Sequence, residues 1–196
     1  MTTDIPHSGA LPVTAEQWRL YLGEYGDWFL SEAPERMQNH VTDEQRRTRW
    51  LGREPATEQQ LAATEERLGV RLPPSLRGFL LTSDGWGPVS AWTSALSPCD
   101  QIDWFRNTDD DFIDGRREAF EDDDEEMGED DIFLHALSIA LGDDTILLDT
   151  RSVSAEGEYE AYILAVSSGE LHEPSATFSE VIAKGRAQIE YVRSLP

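Results

Sequence analysis

The chain has 196 residues, of which 39% are hydrophobic and 9% aromatic, and its formal net charge at pH 7 is −23. This length allows one ordinary domain with additions or two very small domains, and the aromatic content excludes a wholly disordered chain. The charge opposes binding to nucleic-acid phosphates and anionic membranes, so we expect a basic protein partner and no direct contact with nucleic acid or membrane.

The cysteine count and the hydropathy of the sequence exclude further classes of protein. Cys99 is the only cysteine, which excludes an internal disulfide and a zinc site built from cysteines. The first residues lack a basic segment followed by an apolar run, and no apolar run approaches the ~20 residues that span a bilayer. We therefore expect a soluble, cytoplasmic protein.

Two segments precede residue 55. Residues 1–13, rich in proline and glycine, are predicted to be a flexible arm, and residues 14–54 a helical extension. The first helix begins at a capping box made by Thr14 and Gln17. Large apolar side chains then recur at helical spacing, which favours core packing over ligand binding: Trp18, Tyr21, Leu22, Tyr25, Trp28 and Phe29.

The second part of the extension is polar. Thr42 and Gln45 repeat the capping pattern and predict another helix. Arg46, Arg47 and Arg49 follow as a basic cluster. At this overall charge the cluster is expected to make ion pairs within the protein rather than to contact phosphate.

The next segment predicts a corner between two helices. Thr57 and Gln60 form a further capping box, and Gly69 suits a left-handed helix end because it lacks a Cβ atom. Pro73 keeps the preceding residue extended, while Pro74 fits the first turn of the second helix, where a missing N–H costs little. That helix is predicted to bury Leu76, Phe79 and Leu80 and to end at Asp84-Gly85.

The rest of the chain mixes short strands and helices. The predicted elements are strands within 88–96, a short helix over 99–105, a helix over 109–120, hairpins over 133–150 and 159–173, and a closing helix after a capping box at Thr177 and Glu180. Helices, then strands, then a closing helix predict an α+β fold with helices packed on a mainly antiparallel sheet.

Residue types used in catalysis do not form motifs. The histidines lack metal-ligand spacing, and neither a nucleophile elbow nor a glycine-rich phosphate loop is present; the histidines are His7, His40, His135 and His172. Cys99 lies near Asp100 and Asp103, and negative neighbours raise a thiol pKa, which argues against a reactive thiolate. We predict that the protein is not an enzyme and holds no cofactor or metal.

A calcium loop is the strongest metal alternative. Asn107, Asp109, Asp111 and Glu118 match loop positions 1, 3, 5 and 12, but Phe112 stands where the sharp turn needs glycine.

Residues 109–131 form an acidic segment. Fourteen Asp and Glu residues stand against Arg116 and Arg117, a local charge of −12. The segment is either a solvated loop or a binding surface for a basic partner. Catalysis by paired carboxylates is disfavoured, since it needs rigid positions in a cleft. The residues predicted to bind the partner are Asp109, Asp110, Asp111, Asp122, Asp123, Asp124, Glu125 and Glu126.

The segment TEQQLAATEERLGVRLPPSLRGFLLTSDGW resembles the signature of the SUKH superfamily, the domain shared by the fungal cell-wall-synthesis regulator and many bacterial immunity proteins. The matching positions are Glu65, Leu68, Gly69, Leu72, Pro73, Ser75, Leu76, Phe79, Leu80 and Gly85. LSIALGDDTILLDT and SSGELHE are similar to the hairpins of that family. The family often has Asn where Ser83 or Asp84 stands, and the acidic segment and the first aromatic helix lie outside the common pattern.

The resemblance implies a SUKH-like α+β domain over residues 55–196, with an acidic insertion near 109–131 and no catalysis. It implies an immunity protein that binds and neutralises a cognate toxin, and a basic, nucleic-acid-targeting toxin fits the net charge. A regulatory or scaffold module in cell-envelope or signalling assembly is the alternative. A third hypothesis is an enzyme or calcium-dependent binder that uses the acidic segment. None of these hypotheses predicts an oligomeric state.

Overall fold

The computed structural model describes residues 10–122, 128 and 131–194. The α-helices are α1 (Ala15–Glu32), α2 (Asp43–Thr48), α3 (Glu58–Leu68), α4 (Pro74–Leu80), α5 (Phe105–Thr108), α6 (Asp110–Asp122), α7 (Ile132–His135) and α8 (Phe178–Ser194), and Glu35–Gln38 form a short 3-10 helix. The strands are β1 (Thr93–Leu96), β2 (Asp103–Trp104), β3 (Ala136–Ser138), β4 (Ala140–Gly142), β5 (Asp144–Val153), β6 (Tyr159–Ala165) and β7 (Glu170–Leu171). The α+β prediction is confirmed.

The main sheet has five antiparallel strands in the order β2-β3-β5-β6-β7. Its central strand, β5, is covered on both faces. Ile146 and Leu148 belong to the main core with α1, α3, α4 and α8, whereas Leu147 belongs to a second cluster with residues of α5, α6 and α7. Burial on both faces explains why this strand is apolar without alternation. β1 and β4 form a separate two-stranded sheet.

The aromatic face of α1 packs into the same core as the corner between α3 and α4. The ring centroid of Trp18 lies 5.5 Å from those of Phe79 on α4 and Phe178 on α8. The indole N–H of Trp18 also donates a hydrogen bond to the Ser75 carbonyl at 2.8 Å. Core packing of this face is confirmed. Residues 1–9 of the predicted arm lie outside the described residues, while the carbonyl of Pro12 accepts a hydrogen bond from the Ser179 hydroxyl.

Local capping patterns set most helix starts. The three capping boxes predicted from Thr-x-x-Gln spacing are present at the first residues of α1, α2 and α3. At α8 the pattern differs in part. The Thr177 hydroxyl accepts from the Glu180 N–H at 3.2 Å, but the Glu180 carboxylate accepts from the N–H of Ala176, one residue earlier than a capping box requires.

The corner forms as predicted, with one unpredicted partner. The predicted end of the second helix at Asp84-Gly85 is wrong, since α4 ends at Leu80 and the Asp84 N–H donates to the Glu54 carbonyl at 3.1 Å instead of continuing the helix. Gly69 ends α3 at a φ of 73°, and Pro74 lies in the first turn of α4. Glu158, buried next to β6, caps α4 from across the fold. Its Oε1 accepts from the Ser75 N–H at 2.8 Å, and its Oε2 accepts from the Ser75 hydroxyl at 2.6 Å.

Three other predicted elements are wrong in detail. The segment 99–105 is not a helix, because Asp103 and Trp104 pair with β3 and a helix begins only at Phe105. Residues 132–135 form α7 rather than a strand, since Asp131 caps that helix by accepting from the Phe133 N–H at 3.0 Å. β5 makes its hairpin contacts with β3, whereas β4 pairs with β1.

Candidate partner-binding surfaces

The predicted acidic surface begins at α6. Asp110 and Asp111 lie in its first turn with exposed side chains, where negative charge complements the helix dipole. Asp109 has a structural task, because its Oδ1 accepts a hydrogen bond from the Phe112 N–H at 3.0 Å and satisfies a free helix donor. The structure therefore places two of the eight predicted residues as free surface carboxylates and one as a cap.

The other five predicted residues are at or beyond the end of the helix. Asp122 is the last residue of α6. Asp123, Asp124, Glu125 and Glu126 lie outside the described residues.

One side of α6 packs and the other faces solvent. Phe112 contacts Phe105 and Phe133, with ring centroids 5.3 and 5.0 Å apart, in the second hydrophobic cluster. The exposed side carries Asp110, Asp111, Asp114 and Glu118, which we call the acidic face.

The two arginines of α6 do little to neutralise the acidic face. Arg116 turns inward, pairing with Asp131 at 2.8 Å and covering the Phe133 ring at 4.7 Å. Arg117 pairs with Asp114 at 3.0 Å. The remaining carboxylates of the face, those of Asp110, Asp111 and Glu118, have no ion pair within the described part of the chain, so their charge is fully presented to solvent.

A second surface was not predicted. A cleft of about 760 Å³ lies between the segment 36–53 and the β1–β4 sheet. We call it the Trp86 cleft. Its apolar wall includes Met37, Val41, Leu51, Trp86 and Leu96, and its polar lining includes Arg36, His40, Arg53 and Asp143. No sequence pattern identifies this site, because its walls come from segments that are distant along the chain.

The end of the signature segment builds one wall of the Trp86 cleft. Ser83 is fully buried, and its hydroxyl accepts from the Arg53 N–H at 2.9 Å and donates to the Gly85 carbonyl at 2.7 Å. Trp86 then forms antiparallel bridges to Gly52 on one side and Leu96 on the other. Ser83 therefore fixes the backbone from which the Arg53 side chain projects.

Trp92 stands at the rim of the Trp86 cleft, 46% exposed. Its backbone is held from two sides. The Ser90 hydroxyl accepts from its N–H at 3.1 Å, and its carbonyl accepts from the Asp143 N–H at 3.0 Å. Gly142, with a φ of 148°, permits this approach, since an added Cβ would lie 2.4 Å from the Trp92 oxygen. An exposed aromatic ring on a fixed backbone is typical of binding sites.

A second cleft adjoins the first and shares Trp92, Gly142 and Asp143 with it. Asp144 and His172 also line this second cleft. Burial raises the pKa of the Asp144 carboxyl above its usual value, while His172 acts in the opposite direction. Two aspartates, Asp143 and Asp144, thus line the cleft on this side of Trp92.

Cys99 is buried, and its surroundings disfavour a thiolate as predicted. Burial is the first cause that raises the pKa of the thiol, and the Asp84 carboxylate is the second. The Oδ1 of Asp84 accepts a hydrogen bond from the Cys99 N–H at 2.7 Å. The predicted neighbour Asp100 contributes least, and Asp103 instead pairs with Arg67 at 3.7 Å.

The positions of the calcium template do not form one loop. Asn107 of α5 donates to Asp103 of β2 at 3.1 Å, and Asp109 caps α6. Across residues 10–122, 128 and 131–194, no group of three or more His, Cys, Asp or Glu residues is placed to hold a metal ion. In the same ranges no helix is long and apolar enough to cross a membrane.

These elements define an α+β domain built on a proline corner and an antiparallel sheet. Residues 55–184 match the profile of the SMI1 / KNR4 family (SUKH-1), and the chain belongs to that family. The match covers the signature corner, the whole main sheet and the start of α8. Proteins of this family are generally non-catalytic. No curated protein matches the chain.

Proposed function

We propose that this protein is an immunity protein, which binds a cognate toxin with a basic surface and neutralises it by blocking that surface. The family supports a role of this kind, and the observation that carries the proposal is the acidic face of α6 in a chain of net charge −23. A toxin that acts on nucleic acid needs a basic surface for phosphates, and a carboxylate-rich surface competes for the same cations.

The acidic face is suited to fast capture of such a partner. Asp110, Asp111 and Glu118 are exposed and unpaired among the described residues, and α6 is anchored beneath them by Phe112 and Ile113. Dense surface charge steers diffusional encounter and raises association rates by ten-fold or more at low salt. Capture of this kind needs no catalytic group and proceeds with fixed stoichiometry in the cytoplasm.

The proposal is tested by co-expressing this chain with the product of the gene adjacent to its own and following growth. We expect the adjacent product to stop growth and this chain to restore it. A regulatory or scaffold role in envelope or signalling assembly, which the family match also supports, predicts that the adjacent product is harmless and that growth is unaffected. That outcome would overturn the immunity proposal.

The acidic face is tested by charge variants of equal size. Asp110→Asn, Asp111→Asn and Glu118→Gln together remove three charges from α6. The matched control removes three exposed carboxylates elsewhere: Glu24→Gln, Glu66→Gln and Glu173→Gln. At low salt we expect the α6 variant to bind the adjacent product roughly ten-fold more slowly than wild type and the control to change far less. Equal slowing in both variants would refute a role specific to this face.

A further inference from the structure

The pairing of positive side chains singles out the Trp86 cleft. All 16 lysines and arginines lie in the described part of the chain. Fourteen of them make an ion pair, a hydrogen bond or a close contact with an aromatic ring. The two whose side chains make none within the described structure are Arg36 and Arg53, and both line this cleft.

Two unpaired arginines in one cleft are unexpected because the chain has 39 acidic residues. In such a chain an arginine finds a carboxylate easily, and the ordinary outcome is the pairing seen for Arg47 with Glu44 and for Arg117 with Asp114. Arg53 lacks a partner although its backbone is fixed by Ser83. Two unpaired guanidinium groups at one concave site favour an anionic group from outside the chain.

The Trp86 side chain, which lines the cleft, also carries an unsatisfied buried donor. Trp86 is 3% exposed, and its indole N–H has no acceptor in the described structure. An unpaired buried donor costs stability, and such donors are rare in folded proteins. His40 also lines the cleft, and Asp143 is the only carboxylate among the described residues of its lining. The lining of the cleft therefore carries three basic side chains, those of Arg36, His40 and Arg53.

The apolar lining and the rim of the cleft favour a ligand that carries apolar groups beside its anionic group. Met37, Val41 and Leu51 supply an apolar wall, and the exposed ring of Trp92 stands at the mouth. A volume of about 760 Å³ accommodates several apolar and polar groups together. A small free anion leaves this apolar surface uncovered, and the net charge of −23 opposes its approach.

A segment of a basic protein avoids both difficulties. The positive net charge of such a protein attracts it to this chain. One acidic side chain of the segment can then reach Arg36 and Arg53 despite the negative field of this chain. The Trp86 cleft also approaches α6 through the second cleft. It shares Trp92 and Asp143 with the second cleft, which is lined by Val166 of the β6–β7 turn, and Gly169 of that turn lies beside Phe112 of α6.

We propose that the Trp86 cleft binds an acidic side chain, flanked by apolar residues, on an extended segment of the partner protein, with Arg36 and Arg53 as the carboxylate-binding groups. The partner's basic surface rests on the function proposed above. The carboxylate preference of the cleft stands on its own and is tested with the purified protein alone.

The test is an NMR titration that observes the indole N–H signals of Trp86 and Trp92, assigned with the variants Trp86→Phe and Trp92→Phe. The probes are the peptides acetyl-Gly-Leu-Asp-Leu-Gly-amide and its Asn counterpart, with acetate as the free anion. We expect the Asp peptide to shift both signals and to bind about ten-fold more tightly than the Asn peptide, the effect of about one charge-assisted hydrogen bond. Acetate should bind more weakly than the Asp peptide.

Matched variants locate the site. Arg36→Gln with Arg53→Gln should abolish the preference for Asp, while Arg47→Gln with Arg117→Gln, which changes the charge equally outside the cleft, should keep it. Equal binding of the two peptides, or no shift up to about 10 mM, a generous limit for a ligand of this size, would overturn the proposal. Acetate binding as tightly as the Asp peptide would identify a free anion as ligand and overturn the peptide assignment. None of these outcomes depends on a toxin, so failure here is distinct from failure of growth rescue.

Discussion

Our most specific structural prediction concerns the buried carboxylate of Glu158, because this side chain joins the signature corner to the sheet. It accepts the N–H and the hydroxyl of Ser75 at 2.8 and 2.6 Å, at the start of a helix whose own N-cap, Pro73, offers no side-chain cap. Hydrogen bonds to a charged acceptor contribute about 1.5–3 kcal/mol each, and an unsatisfied buried donor costs about 1–3 kcal/mol. Glu158→Gln, which keeps shape and one acceptor, should lower the free energy of unfolding by about 2 kcal/mol. Glu158→Ala, which leaves both donors unpaired, should lower it by about 4 kcal/mol.

The assay is urea unfolding at pH 7, followed by tryptophan fluorescence, with the slope of the transition checked to be unchanged. Glu173→Gln is the control, since it removes the same charge from an exposed site. A double-mutant cycle with Ser75→Ala isolates the pair. If the free energies of unfolding of Glu158→Gln and Glu173→Gln differ by less than about 0.5 kcal/mol, the typical size of a neutral surface change, then the Glu158 carboxylate does not stabilise the start of α4.

Three further changes test other parts of the fold. Gly142→Ala should destabilise by at least about 2 kcal/mol in urea, because its Cβ would meet the Trp92 carbonyl, whereas Gly115→Ala in α6, with no atom within 4 Å, should stabilise by about 0.5–1 kcal/mol. Trp18→Phe should cost about 1–3 kcal/mol in the same assay, since it leaves the buried Ser75 carbonyl without its donor. Asp144→Asn should gain stability over wild type as pH rises, because burial raises the pKa of Asp144 in the folded state. Protonation of Asp144 then favours folding below the ordinary aspartate pKa, and that contribution is lost as pH rises through the raised value.

Each of these has a contrary result. Equal stability of Gly142→Ala and Gly115→Ala would contradict the close approach at Trp92. A Trp18→Phe variant as stable as wild type would show that the indole hydrogen bond to Ser75 contributes nothing. A stability difference between Asp144→Asn and wild type that is constant across the acid transition would contradict the shift at Asp144.

Local features of the fold were predictable because their causes are local. The capping boxes of α1, α2 and α3 need only a Thr and a Gln three residues apart, and the face of α1 is fixed by the period of the helix. The corner followed from Gly69, Pro73 and Pro74 for the same reason.

Features set by distant partners were not predictable from one sequence. Asp103 and Trp104 become a strand only because β3 lies beside them, and Glu158 caps a helix that begins more than eighty residues earlier. The same holds for the sites. The acidic segment stands out in the sequence, although only the fold shows that Asp109 is a cap while Asp110 and Asp111 face solvent. Arg36 and Arg53 carry no local pattern, and they stand out only because the other fourteen lysine and arginine side chains have partners within the described structure.

An inhibition titration with the purified product of the adjacent gene tests whether this chain neutralises its partner by binding it. We expect a complex of fixed stoichiometry, loss of toxin activity at equivalence, and an affinity that falls steeply with salt because exposed carboxylates drive association. An adjacent product that stays fully active in excess of this chain, with no complex at low salt, would contradict neutralisation by binding.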